Sequence, residues 1–198
     1  MIHLDNRSSD FNLDTEYETR VFRNYPIIDP IVIESIVKDE TVKREHYDYS
    51  SNRAFSEHHL IRWKKDKDSI QEQETVLFVK DVASNFLKMH DYAHDASEWY
   101  MDVIRYNLKD EVNQVNSGLA WHCENDNYPD LITVLLYLRV DEGIKKGNLR
   151  YIDSHDVKQT ISITSDTVII MDGRVYHKPE NPIGTGKRDL IAISFKLK

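Results

Sequence analysis

From residue 99 onward the chain consists of short runs rich in β-branched and aromatic residues, and turn sequences separate these runs. Each turn sequence contains glycine: Asp141-Glu142-Gly143, Lys146-Gly147, Asp172-Gly173 and Gly184-Thr185-Gly186. Many short strands with turns between them are typical of a sheet sandwich or a barrel. The predicted strands span residues 99–106, 131–140, 148–152, 160–163, 167–171 and 188–196.

Helical patterns lie before this series of strands. Asp29 can accept the free amide bonds at the start of a helix, and Pro30 suits the first helical position. Tyr25–Asp29 is predicted as a short strand that leads into this cap. Apolar residues recur at helical spacing in residues 75–94, which predicts the best-defined helix of the chain. Residues 38–74 are highly charged and are predicted to be solvated loop and helix surface.

Helices followed by many short strands predict an α+β protein. We expect a distorted jelly-roll core with N-terminal helices packed on one of its sheets. The 198 residues are enough for one domain with a substantial core. Within that domain we expect a loosely held lead-in over residues 1–22, a helical support region over 23–97 and the jelly-roll core over 98–198.

The amino-acid composition limits the classes of binding partner and the cellular compartment that we expect for this protein. The net charge of −8 argues against a nucleic-acid backbone as the main partner, but not against a small-molecule or peptide substrate. The single cysteine, Cys123, excludes an internal disulfide and favours a reducing compartment. No apolar run approaches the roughly 18 residues of a membrane span. We therefore expect a cytoplasmic protein; its oligomeric state is not predicted.

The pattern His-x-Asp/Glu occurs three times, at His3, His46 and His122, where composition alone predicts about 1.5 occurrences. Only His122 stands before the long strand series. On an extended segment His122 and Glu124 point to the same face, so both can reach one ion. Asp126 shares that face and stays an alternative ligand, although it lies about 13 Å along the strand against about 7 Å for Glu124.

His177 and Arg188 complete the candidate site. A strand, a turn and a return strand would carry His177 back toward His122. Two histidines with one carboxylate leave open positions on a non-haem Fe(II). Alternation places Arg188 on one face of its strand with Leu190, Ala192 and Ser194, whereas Lys187 lies on the other. An arginine can hold a carboxylate with two hydrogen bonds.

The segment from Val103 to Phe195 resembles the core of the Fe(II)/2-oxoglutarate-dependent dioxygenases, and among them the prolyl-hydroxylase-like branch. The motifs occur in the family's order. They are Arg105-Tyr106, His122-x-Glu124, Thr133 to Leu138, Gly147-Asn148-Leu149-Arg150-Tyr151, and Thr167 to His177 followed by Arg188.

This resemblance implies a double-stranded β-helix and an oxidation coupled to the decarboxylation of 2-oxoglutarate to succinate and CO2. It implies Fe(II) held by His122, Glu124 and His177, with O2 taking the last metal position. The distal carboxylate of 2-oxoglutarate would bind Arg188 and Tyr137. Tyr106 would line the co-substrate pocket.

The sequence departs from the family pattern in three places. Glu124 stands where the family more often has Asp, and Lys146 replaces the first glycine of a Gly-Gly pair. The interval from Tyr106 to His122 is longer than usual for the branch. Halogenases of the family lack the carboxylate ligand, so Glu124 favours hydroxylation of a peptide side chain, an amino acid or a small metabolite.

Three other interpretations stay open from the sequence. A cupin-like barrel could bind a metal or a ligand as an isomerase or without catalysis, but it would have no need for Arg188. The chain could also be a scaffold with a degenerate site. His90 and His94 could form a zinc pair one helical turn apart, although Asp91 is not the glutamate of zinc proteases.

Overall fold

The computed structural model describes residues 19–38, 56–64, 74–108, 120–123 and 130–198, with the backbone alone for 56–64. The described residues form two helices and eleven strands. The helices are α1 (Ile31–Lys38) and α2 (Glu74–Met89). The strands are β1 (Thr19–Phe22), β2 (Ser56–Lys64), β3 (His94–Leu108), β4 (Leu131–Val140), β5 (Ile144–Lys146), β6 (Leu149–Ile152), β7 (Lys158–Ile161), β8 (Thr167–Asp172), β9 (His177–Pro179), β10 (Pro182–Gly184) and β11 (Gly186–Leu197).

Six strands form the larger sheet, in the order β1-β8-β4-β11-β3-β2, and every pairing in it is antiparallel. A smaller sheet has the order β7-β6-β9, and β5 and β10 pair as a separate ribbon. His122 forms an isolated antiparallel bridge with His177 of β9. Sequentially distant strands are therefore neighbours in both sheets, as a jelly roll requires.

Two apolar clusters lie on opposite faces of the larger sheet. Alternation along β11 divides them, since Ile191 and Ile193 belong to one cluster and Leu190 to the other. This division confirms the alternation predicted for the last strand. The helix-side cluster joins residues of α1 and α2 to the sheet: Ile33, Ile36, Val79, Phe86, Met101, Val103, Val134, Leu136, Ile191, Ile193 and Phe195 are among its members.

The interior cluster fills the space between the two sheets. It combines residues of the larger sheet with Leu149 of β6 and Ile161 of β7. Its other buried members are Leu135, Tyr137, Ile169, Met171, Val175 and Leu190. The strand-rich core is thus a pair of sheets closed around one apolar layer.

Strand β4 has the bounds predicted from the sequence, Leu131–Val140. Its first eight residues are all buried, because helices cover one face and the smaller sheet covers the other. A strand covered on both faces appears in the sequence as a continuous apolar run, which explains why this prediction was accurate.

The N-terminal helix cap is confirmed, but the strand predicted before it is wrong. The amide of Ile31 donates to Oδ1 of Asp29 at 2.9 Å, as a capping aspartate requires. Residues 25–29 form no strand; the Tyr25 amide donates instead to the carbonyl of Asp166 at 2.9 Å. Pro26 has no amide hydrogen to give to a ladder.

The longer helix ends five residues before the predicted position. Helix α2 stops at Met89, and Asp91 has a φ of 65°, which reverses the chain direction. His94 then begins β3. Neither helix in the described part of the chain has the length and apolarity that crossing a membrane requires.

Four strands lie where none was predicted, namely β1, β2, β5 and β10. Thr19–Phe22 falls in the supposed lead-in but pairs with β8, and Ser56–Lys64 falls in the supposed solvated region but pairs with β3. Both are edge strands of the larger sheet. Edge strands need little apolar patterning of their own because one neighbour supplies their hydrogen bonds, so local sequence did not indicate them. Residues 1–18 lie outside the described residues.

Candidate functional site

The backbone brings His122 and His177 side by side although 54 residues separate them in the sequence. Each amide donates to the other residue's carbonyl, His122 at 3.0 Å and His177 at 2.8 Å. The two imidazole ring centroids are 4.3 Å apart. Directly opposite residues of an antiparallel pair project to the same face, so the rings converge on one point.

Both imidazoles are oriented by the same kind of hydrogen bond. Nδ1 of His122 lies 2.9 Å from the carbonyl of Ala120, and Nδ1 of His177 lies 3.0 Å from the carbonyl of Val175. A carbonyl only accepts, so Nδ1 is the donor in each of these bonds; a neutral ring held in this way has its lone pair on Nε2. This is the arrangement by which backbone carbonyls fix metal-binding histidines.

A tight turn sets the position of His177. Asp172, at the end of β8, accepts the backbone amide of Arg174 at 2.9 Å and the Nε of the same residue at 2.8 Å. Val175 then donates to the Asp172 carbonyl and buries its side chain in the interior cluster. The chain enters β9 with His177 only 9 % exposed.

The carboxylate ligand cannot be placed in the same way. Glu124 and its alternative Asp126 both lie outside the described residues. Within the residues that the structure describes, no group of three or more His, Cys, Asp and Glu side chains could hold a metal. The choice of carboxylate therefore stays a prediction.

Arg188 is buried in the interior with tyrosines around its guanidinium. It is 2 % exposed, and its central carbon lies 5.1 Å from the ring centre of Tyr137 and 5.7 Å from that of Tyr106. Arg188 donates a hydrogen bond to the Tyr137 hydroxyl. Its Nε has no hydrogen-bond partner among the described residues. A buried guanidinium donor without an acceptor is costly, which indicates a place for an anion.

Strand register delivers these three side chains to one place. Arg188 lies directly opposite Tyr106 in the β11–β3 ladder. In the β11–β4 ladder the register shifts between Asp189 and Leu190, so that Leu190 faces Tyr137. Burial raises the pKa of Tyr137, and the nearby Arg188 opposes that rise. The hydroxyl is therefore a neutral hydrogen-bonding group at physiological pH.

Gly147 permits the guanidinium to sit where it does. A Cβ atom on Gly147 would lie 2.9 Å from Nη1 of Arg188, and the φ of +82° also disfavours a side chain. Lys146 before it has a φ of 59°, an unusual conformation for a residue with a side chain. The sequence predicts a turn at both residues, whereas Lys146 ends β5 and Gly147 begins the connection to β6. The closeness of Gly147 to Arg188 had no local sequence indication.

No protein-family model matches the sequence, and no curated protein matches it either. Solved structures do match the fold. An oxidoreductase of the 2OG-Fe(II) oxygenase family from Burkholderia pseudomallei has a TM-score of 0.61 at 13 % identity, over 90 % of this chain and 84 % of that one. A prolyl 4-hydroxylase from Pseudomonas putida has a TM-score of 0.56 at 11 % identity, over 92 % and 94 %.

A third match is a prolyl hydroxylase from Trichoplax adhaerens, solved with a peptide fragment of the hypoxia inducible factor oxygen degradation domain. It has a TM-score of 0.56 at 11 % identity, over 90 % of this chain and 83 % of that one. The fold is that of the 2OG-Fe(II) oxygenases. At these identities the matches establish the shared fold alone.

Within this oxygenase fold, the structure brings together His122 with His177, and Arg188 with Tyr137 and Tyr106. Lys187 lies on the opposite face, as predicted, where its Nζ is 3.4 Å from Oε1 of Glu34.

The zinc pair proposed for His90 and His94 does not form. His94 starts β3 and bonds Ser84 Oγ through Nε2 at 2.7 Å, with Nδ1 3.0 Å from the carbonyl of Tyr92. Nε2 therefore bonds α2, and Nδ1 bonds the segment that connects α2 to β3. The prediction was wrong because the helix ends at Met89, so the two histidines do not share a helical face.

Sequence reasoning missed two arrangements beside the site in this oxygenase fold. Trp121 and Tyr176, which precede the two histidines, stack with centroids 6.0 Å apart and planes within 6°. Arg105 bonds Asp189 on the helix side of the sheet. Neither had a signal in the sequence, because both arrangements depend on pairings between distant segments.

Proposed function

We propose that this protein is an Fe(II)- and 2-oxoglutarate-dependent oxygenase. The observation that carries the proposal is the buried Arg188 with an unpartnered Nε, in a fold shared with 2OG-Fe(II) oxygenases. His177 lies opposite Tyr151, which packs against the interior cluster that contains Tyr137. The histidine pair and the guanidinium are therefore assigned to one interior site.

His122 and His177 would hold the metal through Nε2, with Glu124 as the third ligand. Two neutral imidazoles and a carboxylate suit Fe(II) and leave positions open for a co-substrate. Bound iron with O2 and 2-oxoglutarate would supply the oxidation, releasing succinate and CO2. The chain's own part is to orient the imidazoles through the Ala120 and Val175 carbonyls.

Arg188 would hold the distal carboxylate of 2-oxoglutarate. Its planar fork suits a carboxylate, and burial strengthens the interaction by excluding water. The Tyr137 hydroxyl would donate to the same carboxylate, and Tyr106 would close the pocket. Since Arg188 has no carboxylate partner among the described residues, an incoming acid supplies the missing counter-charge.

The substrate would be a peptide side chain, an amino acid or a small metabolite, and the reaction its hydroxylation. One solved structure with this fold is a prolyl hydroxylase with a bound peptide fragment, which supports a peptide or a small molecule as substrate. The net charge of −8 weighs against a nucleic acid.

The test is to add Fe(II) and 2-oxoglutarate without oxygen. We expect a weak visible charge-transfer band, followed by succinate release when air and substrate pools are added. His122→Ala and His177→Ala should each abolish both. His155→Ala is the matched control, because His155 is exposed in the turn between β6 and β7. Metal binding with no response to 2-oxoglutarate would favour the cupin-like alternative.

A second test assigns the carboxylate ligand. Glu124→Gln should lose iron, whereas Asp126→Asn should retain it, since the nearer carboxylate along an extended segment reaches the ion. Metal content after dialysis reports the result. The reverse pattern would assign the ligand to Asp126 and place a loop after Cys123.

A further inference from the structure

A buried ion pair lies directly behind the candidate co-substrate anchor. Arg105 donates from Nε to Oδ1 of Asp189 at 2.7 Å and from Nη2 to Oδ2 at 2.8 Å. Arg105 is 5 % exposed and Asp189 is 0 % exposed. The pair is bidentate and screened from water, so it has a single well-defined geometry.

This pair and the anchor are consecutive rungs of one ladder. Asp189 lies opposite Arg105, and Arg188 lies opposite Tyr106, between the same strands β11 and β3. Their side chains project to opposite faces because strand neighbours alternate. A slip of one residue would exchange the two faces and turn Arg188 toward the helices.

Strand β4, the other neighbour of β11, constrains the register of β11 less firmly than β3 does. The ladder between β11 and β4 shifts register between Asp189 and Leu190, next to the anchor. An irregularity of this kind interrupts regular pairing locally. The ion pair with β3 therefore supplies the constraint that the β4 side lacks at this point.

Helix α1 adds a third charge to the pair. Oε1 of Glu34 lies 3.0 Å from Nη2 of Arg105. The hydrogen bond from Arg105 lowers the pKa of Glu34 to about 2, despite partial burial. Burial alone would lower the pKa of Arg105, but the bonds to Asp189 and Glu34 raise it. Glu34 and Arg105 are therefore both charged at neutral pH.

Stability alone does not account for such a pair. Replacing a buried ion pair by apolar side chains of similar size is often neutral or stabilising, whereas charged pairs can fix a register. We infer that Arg105 and Asp189 are positioning residues that hold Arg188 and Tyr106 in place for the distal carboxylate of 2-oxoglutarate. This inference rests on the proposed function.

The direction in which loss of the Asp189 charge changes the affinity for 2-oxoglutarate distinguishes a positioning role from a simple charge effect. Asp189 carries a negative charge and is adjacent in sequence to Arg188, where the negative distal carboxylate of 2-oxoglutarate would bind. Removing the Asp189 charge would strengthen binding of a carboxylate if only Coulomb forces acted. Loss of positioning predicts the opposite, weaker binding.

The experiment is calorimetric binding of 2-oxoglutarate to the Fe(II)-loaded protein without oxygen, in wild type and Asp189→Asn. We expect affinity to fall about tenfold, as for coupled residues in contact. Binding of 2-oxobutyrate, which lacks the distal carboxylate, should stay within about twofold. In an Arg188→Ala background, Asp189→Asn should have no further effect. Unchanged or stronger binding of 2-oxoglutarate, or equal loss for both acids, would overturn the inference.

Ile193→Ala is the control for general destabilisation, because Ile193 is fully buried on the same strand and face. It should lower the melting temperature and leave 2-oxoglutarate affinity unchanged; a tenfold loss here would count against positioning. If Asp189→Asn does not fold, the double variant Arg105→Met/Asp189→Leu leaves no unpaired charge and should show the same selective loss. Full affinity in it overturns the inference. A wild type that binds no 2-oxoglutarate overturns the proposed function and this inference together.

Discussion

Arg188 and Asp189 are adjacent, charged and buried, yet their surroundings differ completely. On the helix side, Asp189 is matched by Arg105, and Glu34 adds a second acceptor for that guanidinium. On the interior side, Arg188 has two tyrosine rings around it, and no described residue accepts a hydrogen bond from its Nε. One strand thus carries a satisfied charge on one face and an unsatisfied charge on the other.

The difference shows that burial alone does not identify a functional charge. A buried ion whose hydrogen bonds are complete can serve the structure without any ligand. A buried ion whose hydrogen bonds are incomplete is costly unless something else supplies the partner. The interior face is therefore the one on which an anion is expected.

Arg188→Ala should have the largest effect on the interior face. Loss of one partner from a buried ion pair costs about 3–5 kcal/mol, so the 2-oxoglutarate requirement should rise several hundredfold or more. Arg188→Lys should recover only part, because an ammonium cannot form two parallel bonds. Succinate release against 2-oxoglutarate concentration measures both.

Lys187→Ala is the matched control from the helix-side face. Its Nζ lies there, 3.4 Å from Oε1 of Glu34. Its removal should leave the 2-oxoglutarate requirement close to that of wild type. Equal sensitivity at positions 187 and 188 would contradict the distinction between the two faces and would favour the cupin-like alternative.

Gly147→Ala should have the next largest effect. The new Cβ would lie 2.9 Å from Nη1 of Arg188, so the guanidinium must move. We expect about tenfold weaker binding of 2-oxoglutarate, and a loss of about 1–2 kcal/mol in unfolding free energy from the left-handed backbone. Gly186→Ala, with φ +120° and a contact to Asp141, should lose stability without this loss of affinity.

Tyr137→Phe should weaken 2-oxoglutarate binding severalfold, because a hydroxyl hydrogen bond contributes about 1 kcal/mol. The ring stays in the interior cluster, so the melting temperature should change little. Tyr25→Phe provides the comparison from the helix side, where Tyr25 packs on Phe22 and Phe86. Calorimetric titration with 2-oxoglutarate measures the affinity of both variants. If Tyr137→Phe binds 2-oxoglutarate as tightly as Tyr25→Phe does, Tyr137 is not part of the site.

Glu34→Gln should have the smallest effect, and only on stability. The pKa of Glu34 is lowered to about 2 in the folded protein, so its stabilisation is complete above the ordinary value near 4.5. That stabilisation is lost as the pH falls from 4.5 toward 2. The partly exposed group should contribute about 1 kcal/mol or less. Urea unfolding should show a larger difference between variant and wild type at pH 6 than at pH 3, because at pH 3 the stabilisation is only partly lost.

Alternation along the last strand was predictable because it depends only on the two-residue period of a strand. It separated Arg188 from Lys187 correctly and assigned Ile191 and Ile193 to the opposite face from Leu190. The bounds of β4 could also be predicted from the sequence, since a strand covered on both faces is apolar throughout.

Long-range partners were not predictable from local patterns. The edge strand Ser56–Lys64 forms because β3 offers it a ladder, and its own residues are largely polar or charged. The partnership of Arg105 with Asp189 likewise follows from the β3–β11 register, which no single segment specifies.

The sequence by itself determined the bounds of β4, the alternation along β11, the cap at Asp29 and the types of residue available for chemistry, because these depend on local periodicity and on side-chain chemistry. The tertiary structure alone decided that His122 meets His177 and that Gly147 leaves room for the guanidinium. It also decided that Asp189 has a charged partner whereas Arg188 has no acidic partner in the described part of the chain. These outcomes depend on which strands become neighbours and in which register, and that choice is made by the energy of the whole sheet and its two cores.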